Sequence, residues 1–467
     1  MKKLLLVLVL FSLQAGFSQE LTLRKGVVID SLSINDSIAE TYTVYLPTAF
    51  APQKTWPVIF VFDTNGRGGR AAQLFRQAAE EQGYIIAASN NIGEKETLLN
   101  NVKIATRLMN TVFNYFPIDN NMIYTAGFAE GARVASVMPT VFPVVKGVLA
   151  IGDAWVNVDY INNQAKFHFL GLAGYKDPKF NAIGETVEFL KRAKLQSEFY
   201  PYDGGGEWPP AEVLSNAIGT LTLGAMTKGY RPRDLAMVEK LYEAELETAE
   251  RLRRGMQFYK AGKLLELMDG KYALYGKGAM LKENMKELRK ERLYKNQYRD
   301  YTSAAAKEAD LLERYYYFFN EDVSSANFEN LGWWSQQIKE LQELQVSNNI
   351  AETEMAYRLE GQLRDLAKNA FLDLKEANAN IDPMIFTAIL QTIFDKQNPE
   401  GYRNIISLSA QDGDYYTALL YLEDLLKTGY EDLESLYDIP GTLDLKISPE
   451  YNSLVKQYLG SSRYYNN

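Results

Sequence analysis

The spacing of apolar residues changes once along the chain, near residue 230. Before that point short β-type runs alternate with helical stretches. Tyr42, Val44 and Leu46 alternate with other residues and the run stops at Pro47. Residues 58–62, Val-Ile-Phe-Val-Phe, are unbroken apolar, as a strand covered on both faces should be. Further strands are expected at 84–88, 122–126, 145–151, 167–172 and 197–202, with helices at 68–82, 94–116 and 183–194. Strand and helix in that rhythm predict a mostly parallel sheet flanked by helices.

After residue 230 strand signals nearly vanish. Tyr242, Leu246, Ala249, Leu252, Met256 and Tyr259 recur at steps of three or four, which predicts one apolar helix face. The stretch 281–300 is dense in both charge signs and reads as a solvated helix face. Asp382-Pro383 suits a helix start with Asp382 as N-cap. Asp414 is placed to cap the helix over 415–427, whose face carries Ala418, Tyr421, Leu422 and Leu425, and Gly429 to close it. A last helix is expected over 449–459. This end resembles tetratricopeptide-type hairpins and their capping helix, without a clean 34-residue period. Other helical hairpins fit nearly as well. The predicted organisation is a signal segment over 1–18, an α/β domain over 19–228 and an all-α domain over 229–467.

The N-terminus changes the picture more than the bulk composition does. Lys2 and Lys3 precede an apolar run from Leu4 to Leu13, too short to span a bilayer, and Gly16-Phe17-Ser18 offers small residues for cleavage before Gln19. That pattern predicts export to the periplasm, the outer surface or the medium. The 467-residue chain has no cysteine, which excludes disulfides, thiolate metal sites and a lipid anchor at a cleavage cysteine. No later stretch has the length and apolarity of a transmembrane span. A net charge of −9 gives no reason to expect nucleic acid as a partner.

Candidate chemistry sits in four places. Residues 127–131, Gly-Phe-Ala-Glu-Gly, follow the strand at 122–126 and precede a helix. Residues 204–210, Gly-Gly-Gly-Glu-Trp-Pro-Pro, follow the last strand. Asp177 follows the strand at 167–172. The loop 63–69, Asp-Thr-Asn-Gly-Arg-Gly-Gly, follows the run at 58–62, and Arg67 and Arg70 add positive charge to it. It matches no nucleotide-binding fingerprint.

On these four places residues 21–225 resemble the α/β-hydrolase superfamily, in its secreted polyhydroxybutyrate-depolymerase-like and esterase-D-like branch. The resemblance implies an α/β-hydrolase fold with a nucleophile elbow, G-x-S-x-G, at 127–131. It implies a catalytic histidine at the position of Gly206, a triad acid at Asp177, and an oxyanion-hole amide from the loop after Phe62. The elbow position holds Ala129, which has no nucleophile, and Gly206 has no imidazole. The chain's one histidine, His168, falls in a strand and reads as a packed core residue. Asp177 without a histidine reads as a loop carboxylate that bonds a turn or caps the following helix. Residues expected to line a surviving pocket are Thr64, Asn65, Gly66, Phe128 and Glu130. No metal site and no cofactor are expected.

Three functional readings follow. The first is an exported binding or scaffold protein that has lost hydrolysis and recognises another envelope protein, a peptide or a glycan. The second is a hydrolase with a displaced active site built from Asp153, Asp177, Glu130 or Glu207, carboxylates near the strand ends where α/β ligands bind. The third is an envelope-assembly factor working through its helical part. Aromatic clusters at 315–319 and Trp333-Trp334 serve either recognition or helix packing, with packing favoured.

Overall fold

The computed structural model of the protein describes residues 24–35, 37–163 and 165–465. The expected signal segment over 1–18 lies outside the described residues.

The first part of the chain builds an eight-stranded sheet in the order β1-β2-β4-β3-β5-β6-β7-β8. The strands are β1 (Val28–Asn35), β2 (Ile38–Tyr45), β3 (Trp56–Asp63), β4 (Ile85–Ser89), β5 (Ile118–Phe128), β6 (Val145–Ile151), β7 (His168–Gly174) and β8 (Ser197–Tyr202). β4, β3, β5 and β6 are parallel neighbours, and β1 and β2 add antiparallel pairs at one edge. Every residue of β4, and all of β3 except Trp56, is buried, so both faces of the sheet centre are covered. β1 has no clean apolar alternation; it is an exposed edge with two register shifts, which is why pattern reading misses it.

The helices of this part are α1 (Gly68–Gln82), α2 (Leu98–Tyr115), α3 (Glu130–Val141), α4 (Val158–Asn163), α5 (Phe180–Arg192) and α6 (Ala211–Thr227). α1 packs with α6 and α2 packs with α3. Gln82 Nε2 donates to Ser215 O at 2.8 Å, and Tyr84 Oη and Thr222 Oγ1 lie 2.8 Å apart, which satisfies buried polar groups between α1 and α6. α2 begins four residues later than the apolar pattern suggests because Thr97 caps it, accepting from Asn100 N.

The helical part comprises α7 (Leu235–Arg254), α8 (Phe258–Tyr272), α9 (Gly278–Lys290), α10 (Arg292–Ser325), α11 (Leu331–Gln345), α12 (Ile350–Glu376), α13 (Ile381–Phe394), α14 (Pro399–Gln411), α15 (Tyr415–Lys427), α16 (Leu433–Tyr437), α17 (Leu443–Lys446) and α18 (Pro449–Leu459). From α11 to α15 each helix packs on the next. The expected single apolar face from Tyr242 to Tyr259 is broken. Met256 has φ 61°, and Gln257 N closes onto Leu252 O, so the chain reverses there and Met256 is exposed. The start at Asp382 is also shifted: the helix begins at Ile381 behind Asn380, and Asp382 sits in its first turn. Asp414 caps α15 through Thr417 N at 3.0 Å, and Gly429 follows it with φ 88°. Tyr315, Phe319 and Trp334 join one buried cluster with Met355, Leu359, Phe386 and Phe394. The aromatic-rich stretches therefore mainly fill helix interfaces, while Tyr316 and Tyr317 stay exposed.

By compactness the chain divides into two units. One is the part up to Phe169 together with Pro210–Arg233; the other is Leu170–Pro209 with Asp234–Asn467. The stretch carrying the end of β7, the Asp177 loop, α5, β8 and the glycine loop thus clusters with the helices. No helix among the described residues is long and apolar enough to cross a membrane.

Candidate functional site

In the first unit β5 ends at Phe128 and α3 begins at Glu130, so Ala129 alone makes the turn. Its φ of 51° and ψ of −120° lie where residues with a Cβ are strained. The turn is held from both sides. Ala129 N donates to Ile151 O at 2.9 Å, and Ala129 O accepts from Ala132 N at 2.9 Å. The flanking glycines are obligatory: a Cβ at Gly127 would lie 2.0 Å from Gly131 O, and one at Gly131 would lie 2.1 Å from Phe62 O. This strand-to-helix bend, with its glycine clearances, is the geometry of a nucleophile elbow.

The loop after β3 is tied to that bend. Thr64 Oγ1 donates to Phe128 O at 2.7 Å and lies 3.4 Å from Gly131 N. Asn65 N donates to Asp63 Oδ1 at 2.8 Å, and Asn65 forms an isolated bridge with Gly93. Gly66 has φ 63°, and a Cβ there would meet Asn90 O at 2.5 Å. Arg67 turns back on buried Asp63 at 3.2 Å, so its charge is partly spent inside the loop. Glu130 pairs with Arg133 at 3.2 Å. Thr64, Asn65, Gly66, Phe128, Ala129 and Glu130 are therefore neighbours in one unit, and the loop is an ordered turn.

His168 is 2% exposed and lies beside α6, with Nδ1 3.5 Å from where a Cβ of Gly224 would be. Asp153, at the end of β6, accepts from Ala154 N at 2.7 Å.

In the second unit the Asp177 loop and the glycine loop are pressed together. Lys176 N donates to Gly204 O at 2.9 Å, and Tyr175 N donates to Tyr202 O at 2.9 Å. A Cβ at Gly174 would lie 2.4 Å from Gly204 O. Asp177 is 2% exposed; Oδ1 accepts from Lys179 N at 2.8 Å, and Oδ2 has no partner among the described residues. Burial pushes its carboxyl up to about 7; the Lys179 amide and ammonium oppose that, and the charges of Asp365 and Glu207 add to it. Asp177 bonds the turn before α5, which begins at Phe180, and so does not cap the helix with its side chain. Glu207 folds back, with Oε1 accepting from Gly205 N at 3.0 Å. Gly206 has nothing within 4 Å of a built Cβ, so a side chain there meets open space.

The residues that hold the Asp177 loop come from the helices. Arg358 makes a two-pronged contact with Glu308, Nε to Oε1 at 2.8 Å and Nη2 to Oε2 at 2.5 Å, and donates to Tyr175 O. Asn181 Nδ2 reaches the same Glu308 at 2.8 Å. A Cβ at Gly361 would lie 2.2 Å from Pro178 Cγ. Lys260, 5% exposed, bridges Glu354 at 2.7 Å and Asp203 at 3.0 Å and stands 4.5 Å over the Tyr175 ring. Sequence reading misses these groups. The available signal is charge where the apolar period demands a core position: Glu354 and Arg358 lie on the same helix as buried Ala351, Met355, Leu359 and Leu363. Among the described residues no group of three or more His, Cys, Asp or Glu could hold a metal ion.

The strand order, the antiparallel edge and the strained bend after β5 define an α/β-hydrolase fold, joined to a large helical region. No family model and no curated protein matches the sequence. Among solved structures, the chain is similar to an esterase from Pyrobaculum calidifontis, at 15% identity over 39% of this chain and 77% of that one, with a TM-score of 0.32. It is similar to S-formylglutathione hydrolase from Staphylococcus aureus, at 12% identity over 43% and 97%, with a TM-score of 0.35. It is also similar to esterase 2 from Thermogutta terrifontis, at 13% identity over 45% and 98%, with a TM-score of 0.35.

Proposed function

We propose that this protein is an exported binding or scaffold protein of the cell envelope, derived from a hydrolase and without its hydrolytic chemistry. The observation that carries the reading is the elbow: its strain, its glycine clearances and its hydrogen bonds are kept around Ala129, whose methyl group cannot attack a carbonyl. The only histidine is a buried strand residue, and Gly206 offers no imidazole. The shape of the elbow is retained, while the chain lacks the nucleophile and the histidine that would form and break an acyl bond there. Such a bend offers a rigid surface, and the helical part offers further area for a partner protein, a peptide or a glycan.

A second reading has one observation in its favour. Asp177 is a buried carboxyl titrating near neutrality, the property a general acid or base needs. A displaced hydrolase site would use it.

One assay separates the two. Turnover of p-nitrophenyl acetate and butyrate is measured for the wild type, for Asp177→Asn and for Ala129→Ser/Gly206→His. The binding reading expects no turnover by the wild type and weak turnover by the double variant. Wild-type turnover that Asp177→Asn abolishes would overturn it in favour of the displaced site.

A further inference from the structure

The helical part carries an open groove of about 740 Å³. That is within the range of roughly 300–1,000 Å³ typical of ligand sites. It lies between α11, α13 and α15. Its lining mixes apolar Leu331, Ile389, Ile393 and Tyr421, all but Ile389 only partly buried, with polar Ser335, Gln342, Thr392 and Gln397. Three lysines line it, one from α11 (Lys339), one just beyond α13 (Lys396) and one from α15 (Lys427).

The lining carries a single carboxylate, Asp424, and Lys427 neutralises it at 3.3 Å while also reaching Glu423 at 3.4 Å. Lys339 and Lys396 are exposed, and neither has an ion pair or side-chain hydrogen bond among the described residues. Glu340 and Glu343 of α11 are not part of the lining. The groove is thus locally positive on a chain whose net charge is −9. Unpaired ammonium groups beside partly exposed apolar side chains favour an occupant that carries both carboxylates and apolar groups. A neutral apolar segment would leave both lysines uncompensated, and a basic one would meet like charge.

We propose that this groove binds an extended acidic segment of a partner polypeptide, its carboxylates on Lys339 and Lys396 and its apolar side chains around Ile393 and Tyr421. This names a partner class for the binding reading above. Ester turnover by the chain would overturn that reading and leave the groove untouched.

The test is fluorescence anisotropy on the full chain with two labelled hexapeptides, one alternating Glu and Leu, the other alternating Lys and Leu. The Glu/Leu peptide is expected to bind saturably and the Lys/Leu peptide not to bind. Lys339→Glu/Lys396→Glu should weaken Glu/Leu binding by roughly tenfold or more, since two attractions become two repulsions. Raising the salt should weaken wild-type binding as the charges are screened. Lys290→Glu, an exposed change outside the groove lining, should leave binding as it is. Circular dichroism checks the fold, and Lys339→Gln/Lys396→Gln replaces the reversal pair if that pair unfolds. The proposal is overturned if neither peptide saturates, if both bind equally, or if the folded double variant binds like the wild type. It is also overturned if sedimentation shows a dimer that the double variant converts to monomer, because a second copy then covers the groove.

Discussion

Glu308→Ala tests how the helices hold the Asp177 loop. Glu308 is 1% exposed and carries both prongs of Arg358 together with the amide of Asn181. Removing it leaves a guanidinium buried with one remaining acceptor, Tyr175 O, and leaves the Asn181 amide without its acceptor. Breaking a buried, hydrogen-bonded ion pair from one side costs about 3–5 kcal/mol, because the surviving charge keeps its desolvation penalty. At a urea dependence of about 3 kcal/mol per M, that moves the unfolding midpoint down by roughly 1–1.7 M. Circular dichroism at 222 nm follows the helices. Glu283→Ala, which breaks a surface pair with Lys286, should give no measurable shift. Glu308→Leu/Arg358→Met removes both charges and should recover only part of the loss, since the Tyr175 carbonyl and the Asn181 amide both lose their partners, at about 1–3 kcal/mol each. A Glu308→Ala midpoint within 0.3 M of wild type would refute the claim that this pair is buried and fixes the loop.

The remaining expectations concern the elbow and the acid loop. Ala129→Gly relieves a φ of 51°, so unfolding should show stability unchanged or raised by about 1 kcal/mol; a clear loss would mean the bend is unstrained. Gly127→Ala places a methyl 2.0 Å from a backbone oxygen and should cost about 3 kcal/mol or more, read as a lost or lowered melting transition. Asp177 titrates at about 7 folded, against 3.8 as the ordinary value, so between those pH values the native state holds a proton that the unfolded chain has released. Its contribution to stability is therefore complete below about pH 4 and is lost as pH rises toward 7. The melting temperature of Asp177→Asn should fall less over that window than that of wild type, and parallel curves would sink the assignment. Gly206→His adds a side chain into open space and should leave the melting temperature within about a degree or two; a larger drop would refute the open position.

Several features were legible without coordinates because they depend on nearest neighbours along the chain. The unbroken apolar run in β3 reports burial on both sheet faces, and α1 and α18 run over the residues their patterns predict. The Gly127 and Gly131 pair reports a bend too tight for side chains, and the identity of residue 129 decides by itself that no nucleophile stands there. The edge strand β1, the break at Met256 and the shifted start of α13 escaped, since an exposed strand has no buried face and a left-handed residue leaves no period to read.

The tertiary structure decided what surrounds each group. Asp177 is an ordinary loop aspartate by sequence; it becomes a nearly neutral-titrating carboxyl only because the folded chain removes water from it and gives just one oxygen a donor. Glu308, Arg358, Lys260 and Glu354 come from positions up to a hundred residues apart, and only folding turns them into paired buried charges. The groove lysines are likewise scattered over three helical segments. Local sequence sets backbone preference and side-chain chemistry; desolvation and charge pairing depend on distances through space, which only the packed chain sets.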